Sequence, residues 1–343
     1  MNLSKMMIKL VCITLLVLPA VHAKNLNVCA TTPELGSLVS SIGGDKVNLT
    51  VFVTGTEDPH ALVAKPSDIV SLSKADALVL SGLSLEIGWV PALIQRARNR
   101  SVKKNGKGYL DASVAIDVIN EHAGEQITRA MGDVHPEGNP HYMLDPVSGL
   151  KVARYIAESF SKLSPVNARY FKSNLINFEK EWGIKAFGAE LVKLYSMDKL
   201  VQVQEVGKLS FFLKQTNELH KLKGWFGEME EIKGVELIAD HDQWAYFSKR
   251  FNLKIDRAIE PKPGVPPGSR YLKELVTWMN TKKIKGVLAT SYFSPRFLKF
   301  IEKNSQAEIV EMAHQVGSRV GTNTYLSMID HNVKQVCACC KPM

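Results

Sequence analysis

Short apolar runs along this chain alternate with stretches whose apolar residues recur every three or four positions. The segments "NLNVCATT" (25–32) and "KVNLTVFVT" (46–54) predict strands, and "PELGSLVSSIGG" between them predicts a helix closed by glycines. "KPSDIVSLSKA" predicts a helix with Pro66 in its first turn, leading into the strand "DALVLSG". After Gly234 the alternation resumes. Strands are predicted at "VELIAD", "LKIDRAIE", "KGVLATSYF" and "AEIVEMA", and helices at "QWAYFSKRF", "SRYLKELVTWMNTKK", "PRFLKFIEKN" and from "TYLSMIDHNVKQV". Strands alternating with helices call for parallel βαβ units and a covered sheet.

Between the two alternating regions the period changes. From Pro165 to about Leu194 the pattern is helical with only two interior glycines, and a helix of about 30 residues would be roughly 45 Å long. The predicted architecture is therefore α/β, with two similar lobes built on parallel sheets and joined by one long rigid helix. The boundaries are 24–164 for the first lobe, 165–194 for the linking helix and 195–343 for the second lobe. The proline-rich stretch "EPKPGVPPGS" (260–269) is read as a stiff loop at the carboxyl end of a strand, where open α/β sheets bind ligands. Two facing lobes would place such a site in a cleft.

Composition changes this picture little, except at the amino terminus. Residues 1–23 have the form of a cleavable secretory signal: Lys5 and Lys9, an apolar run at 10–20 too short to span a bilayer, and Val21-His22-Ala23 before the cut. Neither Cys12 nor Cys29 has a lipoprotein-like setting, so a free protein exported to a bacterial periplasm is expected. The formal charge of +9 falls to +7 once Lys5 and Lys9 leave with the signal. Basic and acidic residues are interspersed, without the clustered Arg/Lys and stacking aromatics of a nucleic-acid groove.

The candidate chemistry lies in the histidines. His60 in "TEDPHALVAKPSD" and His141 in "GNPHYMLDP" each follow a proline, while His241 and His314 follow the strands "VELIAD" and "AEIVEMA". Each alone reads as an ordinary surface or capped histidine. Four beyond strand ends, two in each half and at equivalent positions of two lobes that close together, point to a metal. Neutral imidazole is a good zinc donor with its second nitrogen free for an acceptor. His135 in "DVHPEGNPH" is read as a plain loop histidine that could assist capture; His122, His220 and His331 are read as structural.

The stretches "TEDPHALVAKPSDIVSLSKADALVLSGLSLEIGW", "GNPHYMLDPVSGLKVARYIAESFSKLSP", "DHDQWAYFSKRF" and "TNTYLSMIDHNVKQ" resemble the zinc/manganese-binding solute-binding proteins of ATP-binding-cassette importers. The resemblance covers nearly all of the mature chain. It implies a metal in the cleft of two lobes, delivered to a membrane permease driven by a cytoplasmic ATPase. It also implies His60, His141 and His241 as the first three ligands. Relatives selective for manganese tend to carry glutamate at the third position, so His241 favours Zn(II).

At the fourth position this chain departs from the pattern, with "AHQVG" (313–317) where many relatives have Asp-Pro-Leu-Gly. Counting back from Gly317 selects His314. Counting along the strand selects Ala313, leaving water, Tyr292 or Glu311 to complete the shell. His314 is the expected ligand. A long acidic, histidine-rich loop of some zinc importers is missing from 121–138, and extra sequence at 198–229 is assigned to packing in the second lobe.

Four cysteines survive cleavage: Cys29, read as buried, and Cys337, Cys339 and Cys340 near a terminus expected to fray, as an odd thiol or a weak soft-metal site. The leading expectation is a monomeric, non-enzymatic zinc-capturing protein serving an importer permease. Two alternatives remain: a zinc hydrolase, for which only Glu57 and Asp58 are local bases and no His-Glu-x-x-His occurs, and a zinc-buffering or adhesive exported protein without a permease.

Overall fold

The computed structural model describes residues 24–60, 62–119, 135–262 and 264–341. The first part runs β1 (Leu26–Ala30), α1 (Pro33–Gly43), β2 (Val47–Val51), α2 (Pro66–Ser73), β3 (Ala77–Leu80), α3 (Val90–Ala97) and β4 (Tyr109–Asp111). A helical middle follows: α4 (Pro146–Leu163), α5 (Ala168–Phe187), α6 (Ala189–Leu194), α7 (Met197–Glu205), α8 (Leu209–Gln215) and α9 (Gly224–Glu230). The last part comprises β5 (Glu236–Ala239), α10 (Ala245–Phe251), β6 (Lys254–Ala258), α11 (Ser269–Lys282), β7 (Gly286–Ala289), α12 (Pro295–Asn304), β8 (Glu308–Glu311) and α13 (Tyr325–Cys340).

The two sheets have the same topology. Their strand orders are β2-β1-β3-β4 and β6-β5-β7-β8, and every pair is parallel. The inner strands β3 and β7 are buried along their whole length, as expected for strands covered on both faces, whereas the edge strands β2 and β6 are partly exposed. The lobes repeat even in their backbone bonds. Thr31 N donates to Val79 O as Asp240 N donates to Leu288 O, and Val53 N donates to Thr31 O as Glu260 N donates to Asp240 O. In each sheet the chain reverses its strand order between the first and third strand, the crevice where such sheets bind ligands.

This repeat corrects the expectation of four equivalent histidines. Only His141, beyond β4, and His314, beyond β8, occupy corresponding positions. His60 follows β2, whose counterpart β6 leads to Glu260. His241 follows β5, whose counterpart β1 leads to Thr32. The short strand β4, three residues in "GYLDA", also escaped the sequence pattern because it is too short to show a period.

The linking helix is shorter than its pattern predicted. α5 stops at Phe187 after 20 residues, about 30 Å, because Gly188 takes φ +88° while its amide still donates to Ile184 O. A side chain there would press on Lys223, which lies 2.8 Å from the position of a Cβ. The other interior glycine, Gly183, stays helical.

One continuous apolar core runs from Leu26 and Val28 of the first sheet, through Phe160, Trp182 and Trp225 of the helical middle, to Leu237 and Leu288 of the second. Separate clusters cover the outer face of each sheet. The inserted segment joins this core through Leu200, Leu209, Leu213, Trp225, Phe226 and Met229, which are all buried. Trp182 donates to Pro146 O at 3.0 Å and Trp225 to Asp330 Oδ1 at 2.6 Å, so both indoles satisfy their N–H inside the core. Packing across both lobes opposes hinge bending, since any rotation must break contacts in a close-packed interior.

Candidate metal centre

Three loops bring four imidazoles together between the lobes. His60 sits where the chain leaves β2. Asp58 Oδ1 accepts its backbone N–H at 3.0 Å and lies 2.7 Å from its Nδ1. The intervening Pro59 carbonyl accepts the Trp89 indole N–H at 3.0 Å. The loop is thus pinned on both sides of the ring, and Nε2 is left facing the cleft.

His241 is held in the same manner from the other lobe. Its backbone N–H donates to Asp240 Oδ1 at 2.7 Å, and Asp240 Oδ2 accepts the amide and hydroxyl of Thr290 at 2.6 and 2.7 Å. Its Nδ1 lies 3.1 Å from Glu260 Oε2, which also accepts from Gly264 N. His141 begins a short 3-10 turn that runs into the Asp145 cap of α4. Asn139 steadies it, accepting His141 N–H at 2.9 Å and donating across the cleft to Asp242 O at 3.3 Å. Nearby, Arg250 clamps Asp145 with two bonds of 2.7 and 2.8 Å, tying the His141 loop to α10 of the second lobe.

The fourth imidazole is one the sequence pattern passed over. His135 lies beside His60, with Nε2 to Nε2 at 3.3 Å and ring centroids 5.3 Å apart. The signal was present in "HPEGNPH": Gly138, at φ +113°, donates its N–H to His135 O and folds the segment back so that both its histidines face the cleft. Ligand nitrogens of His60, His135 and His141 all lie within 4.8 Å of one another. His241 completes the ring of contacts at centroid distances of 6.4 Å from His60 and 6.2 Å from His141.

The spacing of His60 and His135 suits two ligands of one tetrahedral ion, with His141 in the same group of nitrogens. Metal–nitrogen bonds of about 2.0–2.1 Å place two ligand nitrogens about 3.3 Å apart. Electrostatics agree with the geometry. Burial, then the neighbouring imidazoles His60 and His241, push His135 down to about 4 and His141 well below the usual histidine range. Both are therefore neutral donors at neutral pH. Burial also opposes charge on His241, but the hydrogen bond to Glu260 and the charges of Asp240, Glu260 and Asp242 outweigh it and raise its pKa.

His314, the expected fourth ligand, is placed differently. Its ring stands edge-on to Tyr292 at 4.7 Å, its Nε2 faces Glu57 O at 3.5 Å, and its buried Nδ1 has no partner. It shares with His141, Glu34, Gln243 and Tyr292 a small cavity of about 20 Å³ behind the four imidazoles. Burial lowers its pKa to about 4. Tyr292 is half-buried and lines that cavity, while Glu311 is exposed and faces Arg319 at 3.7 Å. The lobes touch beside His314: a Cβ on Gly55 would lie 2.1 Å from Val316 O. Among the remaining histidines, His331 bonds to Glu311 O and His122 lies outside the described residues. Neither base considered for a hydrolase stands free, since Asp58 holds His60 and Glu57 Oε2 accepts Thr54 N.

Comparison with known proteins agrees with this architecture. The metal-transporter substrate-binding lipoprotein SloC of Streptococcus mutans is 30% identical over 305 residues, covering 86% of this chain and 84% of its own. The manganese-transporter substrate-binding lipoprotein PsaA of Streptococcus mitis is 29% identical, covering 92% and 90%. A solved structure described as "Crystal structure of ZnuA" superposes with a TM-score of 0.65 at 21% identity, covering 93% of this chain and all of that one. A family model for "ZnuA: Zinc-uptake complex component A periplasmic" matches residues 28–184 and 212–339. The chain belongs to this family: it is an exported, non-enzymatic substrate-binding protein of an ABC metal transporter, working with a membrane permease and its ATPase.

Proposed function

We propose that the protein captures Zn(II) on His60, His135, His141 and His241 and hands it to the permease of a zinc importer. The observation that carries this reading is the Nε2–Nε2 spacing of 3.3 Å between His60 and His135, in a group that His141 and His241 close. The carboxylates of Asp58 and Glu260 take the Nδ1 atoms of His60 and His241 and so stand one bond behind the donors. Such partners fix ring orientation and raise ligand basicity without donating oxygen to the ion. Nitrogen-only donors favour zinc, whereas manganese is better served by carboxylates and water. On this reading the chain differs in metal from relatives named for manganese, such as PsaA of Streptococcus mitis.

The same reading makes residues 1–23 a cleaved leader and the protein a free periplasmic one. Cys29 is buried at 2% exposure in the middle of β1, where it cannot serve as a lipidated amino terminus.

The test is a competition titration of the tag-free mature protein with zinc and with manganese. One zinc per chain, bound orders of magnitude more tightly than manganese, is expected. Equal or tighter manganese binding would overturn the assignment.

A further inference from the structure

The cysteines near the carboxyl terminus play no part in the cleft, yet the structure gathers them. The "CACC" stretch is ordered helix, the last turn of α13, and corrects the expectation of a frayed end. Cys337 and Cys340 are 5% and 2% exposed, and the four cysteines among the described residues are free thiols. Residues three apart on a helix lie on one face with Cα atoms about 5 Å apart, so these two thiols can meet across a single ion. A third sulfur comes from the inserted segment: Met229 Sδ of α9, itself buried, lies 3.7 Å from Cys337 Sγ. Metal–sulfur bonds of about 2.3 Å put sulfurs that share one ion about 3.8–4.0 Å apart. The contact has nearly that spacing.

The surroundings suit a bound cation held by thiolates. Cys339, hydrogen-bonded to Cys340, is half-buried and sends its thiol to Lys285 O at 3.5 Å, over Gly286, where any side chain would collide with the sulfur. Lys285 Nζ reaches Cys340 O at 3.2 Å, and Lys341 follows the last turn. Lys285 and Lys341, the latter paired with Glu231, offset part of the thiolate charge. Burial and the Glu228 and Glu231 carboxylates nevertheless hold the Cys337 thiol up at about 11, so the ion must displace its proton. The carbonyl end of the helix favours a cation.

We propose that Met229, Cys337 and Cys340 form a second metal site, separate from the imidazole cleft, that takes a soft monovalent ion, copper(I), with Cys339 as the ligand at its mouth. Thiolate and thioether donors select soft ions, and a thioether favours copper(I) over zinc. Binding replaces the two S–H bonds of Cys337 and Cys340 by copper–sulfur bonds, both protons leave to solvent, and no electron moves.

The test uses the reduced mature protein with zinc already bound, titrated without oxygen with copper(I) held by a chromophoric chelator. One equivalent should transfer, with thiolate-to-copper charge-transfer absorption and no loss of zinc. Met229→Leu keeps the volume of the buried side chain and should weaken copper(I) roughly tenfold or more with an unchanged melting curve. Cys337→Ser should abolish the absorption. Equal uptake by wild type and Cys337→Ser, absence of the charge-transfer band, or a Cys337–Cys340 disulfide that persists in reductant would each overturn the proposal.

Discussion

Replacing His135 and His314 by alanine in separate variants decides which of them completes the shell. Zinc held by a complete protein shell is worth about 10–16 kcal/mol, or roughly 3 kcal/mol for each of four donors. A water that takes the vacated position recovers part of this, so loss of one imidazole should cost about 2–3 kcal/mol, close to 100-fold in Kd. His135 is a neutral donor at neutral pH, since its pKa is pushed down to about 4, and it gains no affinity from losing a proton. His135→Ala should therefore carry the whole penalty. His314→Ala should change zinc affinity only slightly, because that ring packs on Tyr292 and faces the Glu57 carbonyl. The assay is displacement of zinc from a chromophoric chelator at neutral pH, with thermal melting of the apo forms as a control for folding. A 100-fold loss in His314→Ala with wild-type affinity in His135→Ala would refute the four-imidazole group described here and restore the count back from Gly317.

Three further outcomes are expected. Because Glu260 and its acidic neighbours raise the His241 pKa, protons compete with zinc from above the usual histidine range, and affinity should fall as pH drops through it. Glu260→Gln should weaken zinc about 10–100-fold and move that onset to lower pH; an unshifted onset in binding titrations would count against the role given to Glu260. Glu34 is buried and burial raises its carboxyl to about 7, so its contribution to apo stability is complete below the unfolded value near 4.5 and is lost as pH rises through 7. The loss is on the order of 3 kcal/mol, and Glu34→Gln should flatten this part of the stability–pH curve from chemical denaturation; an unchanged curve would reject the assignment. Finally, the continuous core predicts that solution scattering of apo and zinc-bound protein differs little, and a large domain rotation would contradict it.

Much of the fold was legible because parallel sheets covered on both faces demand continuous apolar strands, as in "ALVL" and "GVLA". Helix α12 was predicted to the residue, from Pro295 at its first turn to Asn304 at its end. The linking helix was overextended because Gly188 costs a helix only about 1 kcal/mol by propensity, and its positive φ belongs to a turn where the distant Lys223 N–H donates to Phe187 O.

The sequence by itself determined two α/β lobes, an exported metal-binding chemistry, and three of the histidines now facing one another. Those readings rest on local periodicity and on residue types next to strand ends, which a linear chain displays. Tertiary structure decided which further imidazole lies beside them. The turn at Gly138 carries His135 to 3.3 Å from His60, while the packing of His314 against Tyr292 turns its ring to the Glu57 carbonyl. It also brought Met229 to Cys337 across more than a hundred residues. Proximity between residues far apart in the chain follows from how loops and helices pack in three dimensions, and no spacing along the chain encodes that distance.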